Sequence, residues 1–135
     1  MRILGIDYGA ARIGVALGDT DSGIATPWAV LENLGHGEVV KQIKLMCERE
    51  QAERVVVGVP RPMRDTGMEN EQVKEVRLFI TDLRSSGIPV DEEDETLTSR
   101  LAARHVHAAG GKGKRDDLAA AAILETWLGR HVLPS

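Results

Sequence analysis

The segment ERVVVGVP at residues 53–60 is a nearly continuous apolar run. A strand with one wet face alternates polar and apolar side chains, so an unbroken run belongs in a parallel sheet covered on both faces. Parallel neighbours need long crossover connections, and these are usually helices. The chain supplies them on both sides of the run. Residues 37–50 carry Val39, Val40, Ile43, Met46 and Cys47 at helical spacing. A second helix, over about 69–86, has Val73, Val76, Ile80 and Leu83 on one face, and Gly87 is placed to end it.

Three strand-like segments precede this alternation: RILGID at 2–7, RIGVALG at 12–18 and IATPWAVL at 24–31. The link Tyr8–Ala11 is short, which predicts an antiparallel hairpin between the first two. Pro27 cannot donate to a ladder, so the third strand belongs at an edge or carries a bulge. Downstream, IPVDEED at 88–94 reads as a short strand, 97–109 as a helix, GGKGKR at 110–115 as a flexible basic loop and DDLAAAAILETWLGR at 116–130 as a final helix. The order is βββαβαβαα. It predicts an α/β fold with a mixed five-stranded sheet, three antiparallel strands and then parallel ones, flanked by helices. With no repeat and no linker, residues 1–135 are expected to form one domain.

Composition narrows the class. Cys47 is the only cysteine, so disulfides cannot staple this fold, and its place in an apolar helical pattern marks it as core filler. A reducing, cytoplasmic setting is expected. The opening MRILGIDYG turns acidic too early for a signal peptide, and no apolar run approaches the ~20 residues that span a bilayer. The formal charge of −4 argues against a protein that coats nucleic acid through bulk charge. It leaves room for an enzyme whose acidic residues hold divalent metal.

Three acidic groups could carry chemistry. Asp7 ends an apolar strand between Gly5 and Gly9. A carboxylate buried there costs several kcal/mol unless a cation or hydrogen bonds meet it, and Gly5 leaves space beside it for a bound ion. The competing reading is an Asp that caps the hairpin turn. The run DEEDE at 91–95 closes another strand. Strand ends are where open α/β sheets place their sites, although a charge run is commonly a solvated edge or a helix-capping region. Asp116 and Asp117 open an alanine-rich helix, where capping alone would explain them. The alanines allow that helix to lie very close to the sheet. Together the three groups suit Mg²⁺ or Mn²⁺, which prefer oxygen ligands. His36, His105, His107 and His131 have no metal spacing and read as surface residues, while Trp28 and Trp127 read as core.

The segments GIDYGAARIGVALGD (5–19), VVVGVP (55–60), DETLTS (94–99) and DDLAAAAILETWL (116–128), in this order, resemble the YqgF family, Holliday-junction-resolvase-like proteins regarded as pre-16S rRNA nucleases. The resemblance covers nearly the whole chain. It implies a ribonuclease H-like fold and a metal-dependent endo- or exonuclease, with catalytic, metal-binding carboxylates at Asp7, Glu95 and one of the final Asp pair. Family sequences place that Asp eight residues before the Leu of the Ile-Leu pair, and counting back from Leu124 gives Asp116, with Asp117 as the fallback. One or two Mg²⁺ or Mn²⁺ ions would be held there. Gly5, Gly9 and Thr98 would support the site; Thr98 either bonds near Glu95 or caps a helix. Arg12 either pairs with an acid of the cluster or touches substrate. Arg61, Arg64, Lys112, Lys114 and Arg115 would contact the nucleic acid backbone or serve solubility alone. Two departures stand out: Thr96 replaces a frequent Arg of the family, and the loop after Pro60 is slightly longer.

The expected substrate is the 5′ end of pre-16S rRNA; the alternatives are a Holliday junction or another structured or single-stranded nucleic acid. Either a monomer or a homodimer is compatible with the sequence, and no membrane partner is expected. Two other classes compete: a ribosome-assembly protein that binds without cutting, and an actin-like or sugar-kinase ATPase, whose first phosphate loop has a similar Gly-Ile-Asp-x-Gly pattern. Three candidate carboxylates argue against the first, and the lack of a second such domain against the second.

Overall fold

The computed structural model describes residues 1–59, 71–94 and 116–131. Its elements are β1 (Arg2–Tyr8), β2 (Arg12–Asp19), β3 (Ile24–Glu32), α1 (His36–Glu50), β4 (Ala52–Val59), α2 (Glu71–Ser85), β5 (Val90–Asp94) and α3 (Asp116–His131). The helix expected over 97–109 and the basic loop at 110–115 lie outside the described residues. The five strands form one sheet in the order β3-β2-β1-β4-β5. β1 pairs antiparallel with β2, and β2 antiparallel with β3. β1 pairs parallel with β4, and β4 parallel with β5. The mixed sheet expected from the sequence is therefore present, strand for strand.

Pro27 meets both of its alternatives at once. β3 is an edge strand, and its register against β2 shifts between Val15 and Ala16, which pair with Ala29 and Pro27 respectively. Trp28 is the extra residue of that bulge, half-buried against the core. At the end of α2, Gly87 takes φ +93, a conformation that costs other residues a Cβ clash.

The two faces of the sheet are built differently. On one face Leu4, Ile6, Val15, Val55 and Val57 meet Val39 and Ile43 of α1 and Val76, Phe79, Ile80 and Leu83 of α2. These side chains are almost wholly buried, and each contributes about 1.5–3 kcal/mol by leaving water. Cys47 lies in this layer, and burial together with neighbouring Glu48 pushes its thiol up to about 11, as suits an inert packing residue.

On the other face α3 replaces side-chain interdigitation with backbone contact. A Cβ on Gly5 would lie 2.9 Å from the Ala120 carbonyl oxygen and 2.9 Å from Leu124 Cβ. A Cβ on Gly14 would collide with the Asp116 main chain, and one on Gly18 would lie 2.7 Å from Leu124 Cδ2. Gly14 and Gly18 point to one side of β2, as the two-residue period of a strand requires. On α3, Asp116, Ala120 and Leu124 recur every four residues and share a helix face. No described helix is long and apolar enough to cross a membrane.

This packing predicts unequal costs for two small substitutions. Gly5→Ala pushes against backbone and is expected to destabilise the protein by about 2–3 kcal/mol. Gly18→Ala meets the far end of a flexible Leu124 side chain and is expected to cost about 1 kcal/mol. Denaturant midpoints of the two variants check the order.

Candidate metal centre

The site grows from the register of the hairpin. Asp7 on β1 lies directly opposite Gly14 on β2. Directly opposed residues project to the same face, with Cβ positions roughly 4.5–5.5 Å apart. On that face, the space where Gly14 lacks a side chain is filled by the main chain of Asp116. A glycine at position 14 therefore allows the first turn of α3 to sit beside Asp7. Residues more than a hundred positions apart in the chain are joined through one missing Cβ. Gly9 supports the turn that precedes this register, because a Cβ there would lie 2.5 Å from the Arg12 carbonyl oxygen.

Arg12 opens β2 on the same face. Its Nε lies 3.2 Å from Asp116 Oδ2. The Arg12 side chain is 58% exposed and that of Asp116 19%, so a cation at the surface meets a carboxylate that has lost much of its water. The two Asp residues of α3 differ in what they do. Asp117 Oδ1 accepts the main-chain N–H of Leu118 at 3.0 Å, an interaction of the helix start. Asp116 faces β2.

β5 ends at Asp94, and all three parallel strands, β1, β4 and β5, end at the sheet edge where α3 begins. Asp7 lies at that edge, and the main chain of Asp116 lies against its strand partner Gly14. Glu95, Thr98, Arg61, Arg64, Lys112, Lys114 and Arg115 lie outside the described residues. Among the described residues, no group of three or more His, Cys, Asp or Glu forms a metal-binding cluster. Asp7 and Asp116, the two candidate ligands within the described residues, offer only oxygen donors. That chemistry suits a hard divalent ion better than zinc, whose sites are built largely from Cys and His.

The acidic run of β5 is not a solvated edge along its whole length. Asp91 accepts from Arg54 Nη1 at 2.6 Å and from Trp127 Nε1 at 2.8 Å. Glu93 is 2% exposed and pairs with Arg130. On the other side of the strand, Glu92 lies 3.7 Å from Arg84. A sequence signal for this exists: Asp91 and Glu93 are two apart on a strand, Trp127 and Arg130 three apart on a helix, so each pair shares a face. Burial pushes the Glu93 carboxyl above its ordinary value, and Arg130 beside it offsets part of that rise.

His36 corrects the expectation of a surface histidine. Its side chain is 21% exposed; Nδ1 lies 3.2 Å from Asp82 Oδ2 and Nε2 lies 3.3 Å from Glu75 Oε2. The ring packs edge-on against Tyr8 at 5.5 Å. It opens α1 and meets Glu75 and Asp82, two turns apart on α2, with Tyr8 beside it. His131 is exposed as expected, stacked on Trp127 at 4.1 Å, and His105 and His107 lie outside the described residues.

Comparison with known proteins matches residues 1–130 to the sequence profile of the family described as RuvX, Holliday junction resolvase. A curated relative from Mycobacterium tuberculosis H37Rv, named "Putative pre-16S rRNA nuclease", is 36% identical over 133 residues, spanning 94% of this chain and 78% of the relative. A relative of the same name from Chlorobaculum tepidum is 36% identical over 139 residues, spanning 96% and 94%. Among solved structures, RuvC of T. thermophilus in complex with a Holliday junction substrate superposes with a TM-score of 0.64 at 19% identity, covering 96% of this chain and 94% of that one. The ribonuclease H-like fold expected from the sequence stands.

The Glu93–Arg130 pair makes a pH-dependent prediction. Removing the guanidinium leaves a buried carboxylate uncompensated, so Arg130→Met is expected to cost about 2 kcal/mol at pH 7, reduced from the fully buried case because Arg130 is half exposed. The folded pKa of Glu93 is already raised, so the stability tied to this group is full below 4.5 and is lost as pH rises through the folded value. The Arg130→Met deficit is therefore expected to shrink at pH 5. An equal deficit at both pH values in urea titrations would reduce Arg130 to a packing role.

Proposed function

The chain belongs to the RuvX family of nucleases, and from that premise we propose that it cuts pre-16S ribosomal RNA with divalent ions, Mg²⁺ or Mn²⁺, held by Asp7, Glu95 and Asp116. The observation that carries this reading is the backbone contact between Gly14 and Asp116, which seats one carboxylate beside the strand partner of the other. Glu95 follows β5 directly in the chain, and β5 ends at the same sheet edge. Bound divalent ions supply Lewis acidity, lowering the pKa of water and offsetting charge at phosphorus.

The chain's own residues have separate tasks in this scheme. Asp7 is held by the β1–β2 ladder and cannot shift without breaking it. Asp116 is carried by a helix pinned to the sheet through Gly5 and Gly14. The engagement of Asp117 with the helix start favours Asp116 as the ligand and keeps Asp117 as the substitute. Arg12, Arg61, Arg64, Lys112, Lys114 and Arg115 supply positive charge that draws the phosphate backbone to an otherwise acidic site. Gly5, Gly9 and Thr98 have supporting roles in this reading.

The family description and the RuvC-like fold favour a second reading, resolution of a four-way DNA junction. A panel of purified protein with 16S precursor, single strands and four-way junctions, each with Mn²⁺, Mg²⁺ or chelator, separates the two. Preferential cutting of the precursor is expected, and preferential cutting of junctions would select the second reading. Binding of precursor with no turnover under any divalent ion would indicate an assembly factor. Asp7→Asn is expected to lower turnover by about 10²–10³-fold or more with an unchanged melting temperature. Undiminished divalent-dependent cleavage by that variant would remove Asp7 from the site.

A further inference from the structure

We propose that Arg12 is a displaceable counter-ion: it neutralises Asp116 in the metal-free protein, leaves when a divalent ion enters, and then serves a phosphate of the bound strand. The inference rests on the reading of Asp116 as a metal ligand. Its starting point is the 3.2 Å contact between Arg12 Nε and Asp116 Oδ2.

The Asp116 carboxylate is only 19% exposed, and its main chain lies against Gly14, so it has lost much of its water. It needs a cation in the metal-free state. Arg12 provides one, and the asymmetry of the pair determines which partner can move. Asp116 sits on a helix start locked against Gly14, whereas Arg12 is more than half exposed on a long flexible side chain at the beginning of β2. A cation arriving at Oδ2 competes with the guanidinium for the same oxygen. The strongly exposed partner yields because water solvates it at little cost.

The released guanidinium remains tethered to β2, on the same face and one strand-pair step beyond Gly14, the partner of Asp7. A planar donor at that position matches phosphate geometry. The two roles that the sequence leaves as alternatives for Arg12, pairing with an acid and touching substrate, thereby become successive states of one side chain.

The test uses Mn²⁺ as the probe, on the purified full chain without nucleic acid, followed by cleavage kinetics on 16S precursor at saturating Mn²⁺. Arg12→Gln removes the competitor and is expected to bind Mn²⁺ about two- to fivefold more tightly than wild type, the range set by an exposed ion pair. Arg12→Lys keeps the charge and is expected to stay within about twofold of wild type. In cleavage, Arg12→Gln is expected to raise KM about threefold or more with kcat nearly unchanged, the pattern of lost uniform binding. A residue that merely shapes the site would move both affinities in the same direction. Weaker or unchanged Mn²⁺ binding by Arg12→Gln, equal tightening by Arg12→Lys, or an unchanged KM overturns the proposal. Asp116→Asn separates the two levels: wild-type Mn²⁺ affinity in that variant would remove Asp116 from the metal site itself, whatever Arg12 does.

Discussion

The fold of this protein depends on one contact made by atoms that are absent. Gly5, Gly14 and Gly18 present bare backbone to α3, and α3 answers with Ala120, Leu124 and the main chain of Asp116. Helices ordinarily pack on sheets through interlocking side chains, which leaves about 10 Å between backbones. Here the separation collapses at the start of α3. That close approach brings a helix N-terminus next to Asp7, and it explains why the alanine run is needed: a larger residue at 120 would lift the helix and carry Asp116 away from the strand.

The close approach has an electrostatic consequence. The start of a helix carries partial positive charge, which favours the acidic residues placed there. Asp116 and Asp117 share this benefit, but only Asp116 faces the sheet, and Arg12 completes its neutralisation. At the other end of α3, Trp127 and Arg130 tie the helix to Asp91 and Glu93 of β5. The helix is thus fixed at its start to β2 and at its end to β5. The buried Glu93 is costly by itself. Arg130 beside it offsets part of that cost and ties the end of α3 to β5.

Much of the architecture was legible in the sequence. The unbroken apolar run of β4, the helical spacing in α1 and α2 and the short link at Tyr8–Ala11 each encode local geometry, and each element formed within a residue or two of its expected bounds. Pro27 marked an edge and a bulge because a missing N–H has few other places to go. His36 was misread for the opposite reason. Its partners Glu75 and Asp82 come from a distant helix, and a lone histidine in a polar segment gives no hint of them. The acidic run of β5 was ambiguous on the same grounds: its alternate members face inward, but their cations come from β4 and α3.

By itself, the sequence determined the order of elements, the mixed sheet and the position of Asp7 at a strand end flanked by glycines. These follow from periodicity and backbone sterics, which act between neighbours in the chain. Tertiary structure decided which charges meet. It selected Arg12 as the partner of Asp116 and gave Asp91 and Glu93 dedicated donors. It also turned Gly14 from an unremarked strand residue into the contact that joins the two halves of the site. The reason is range: an ion pair or a missing Cβ acts over a few ångströms of space, and only the folded sheet sets which residues fall within that distance.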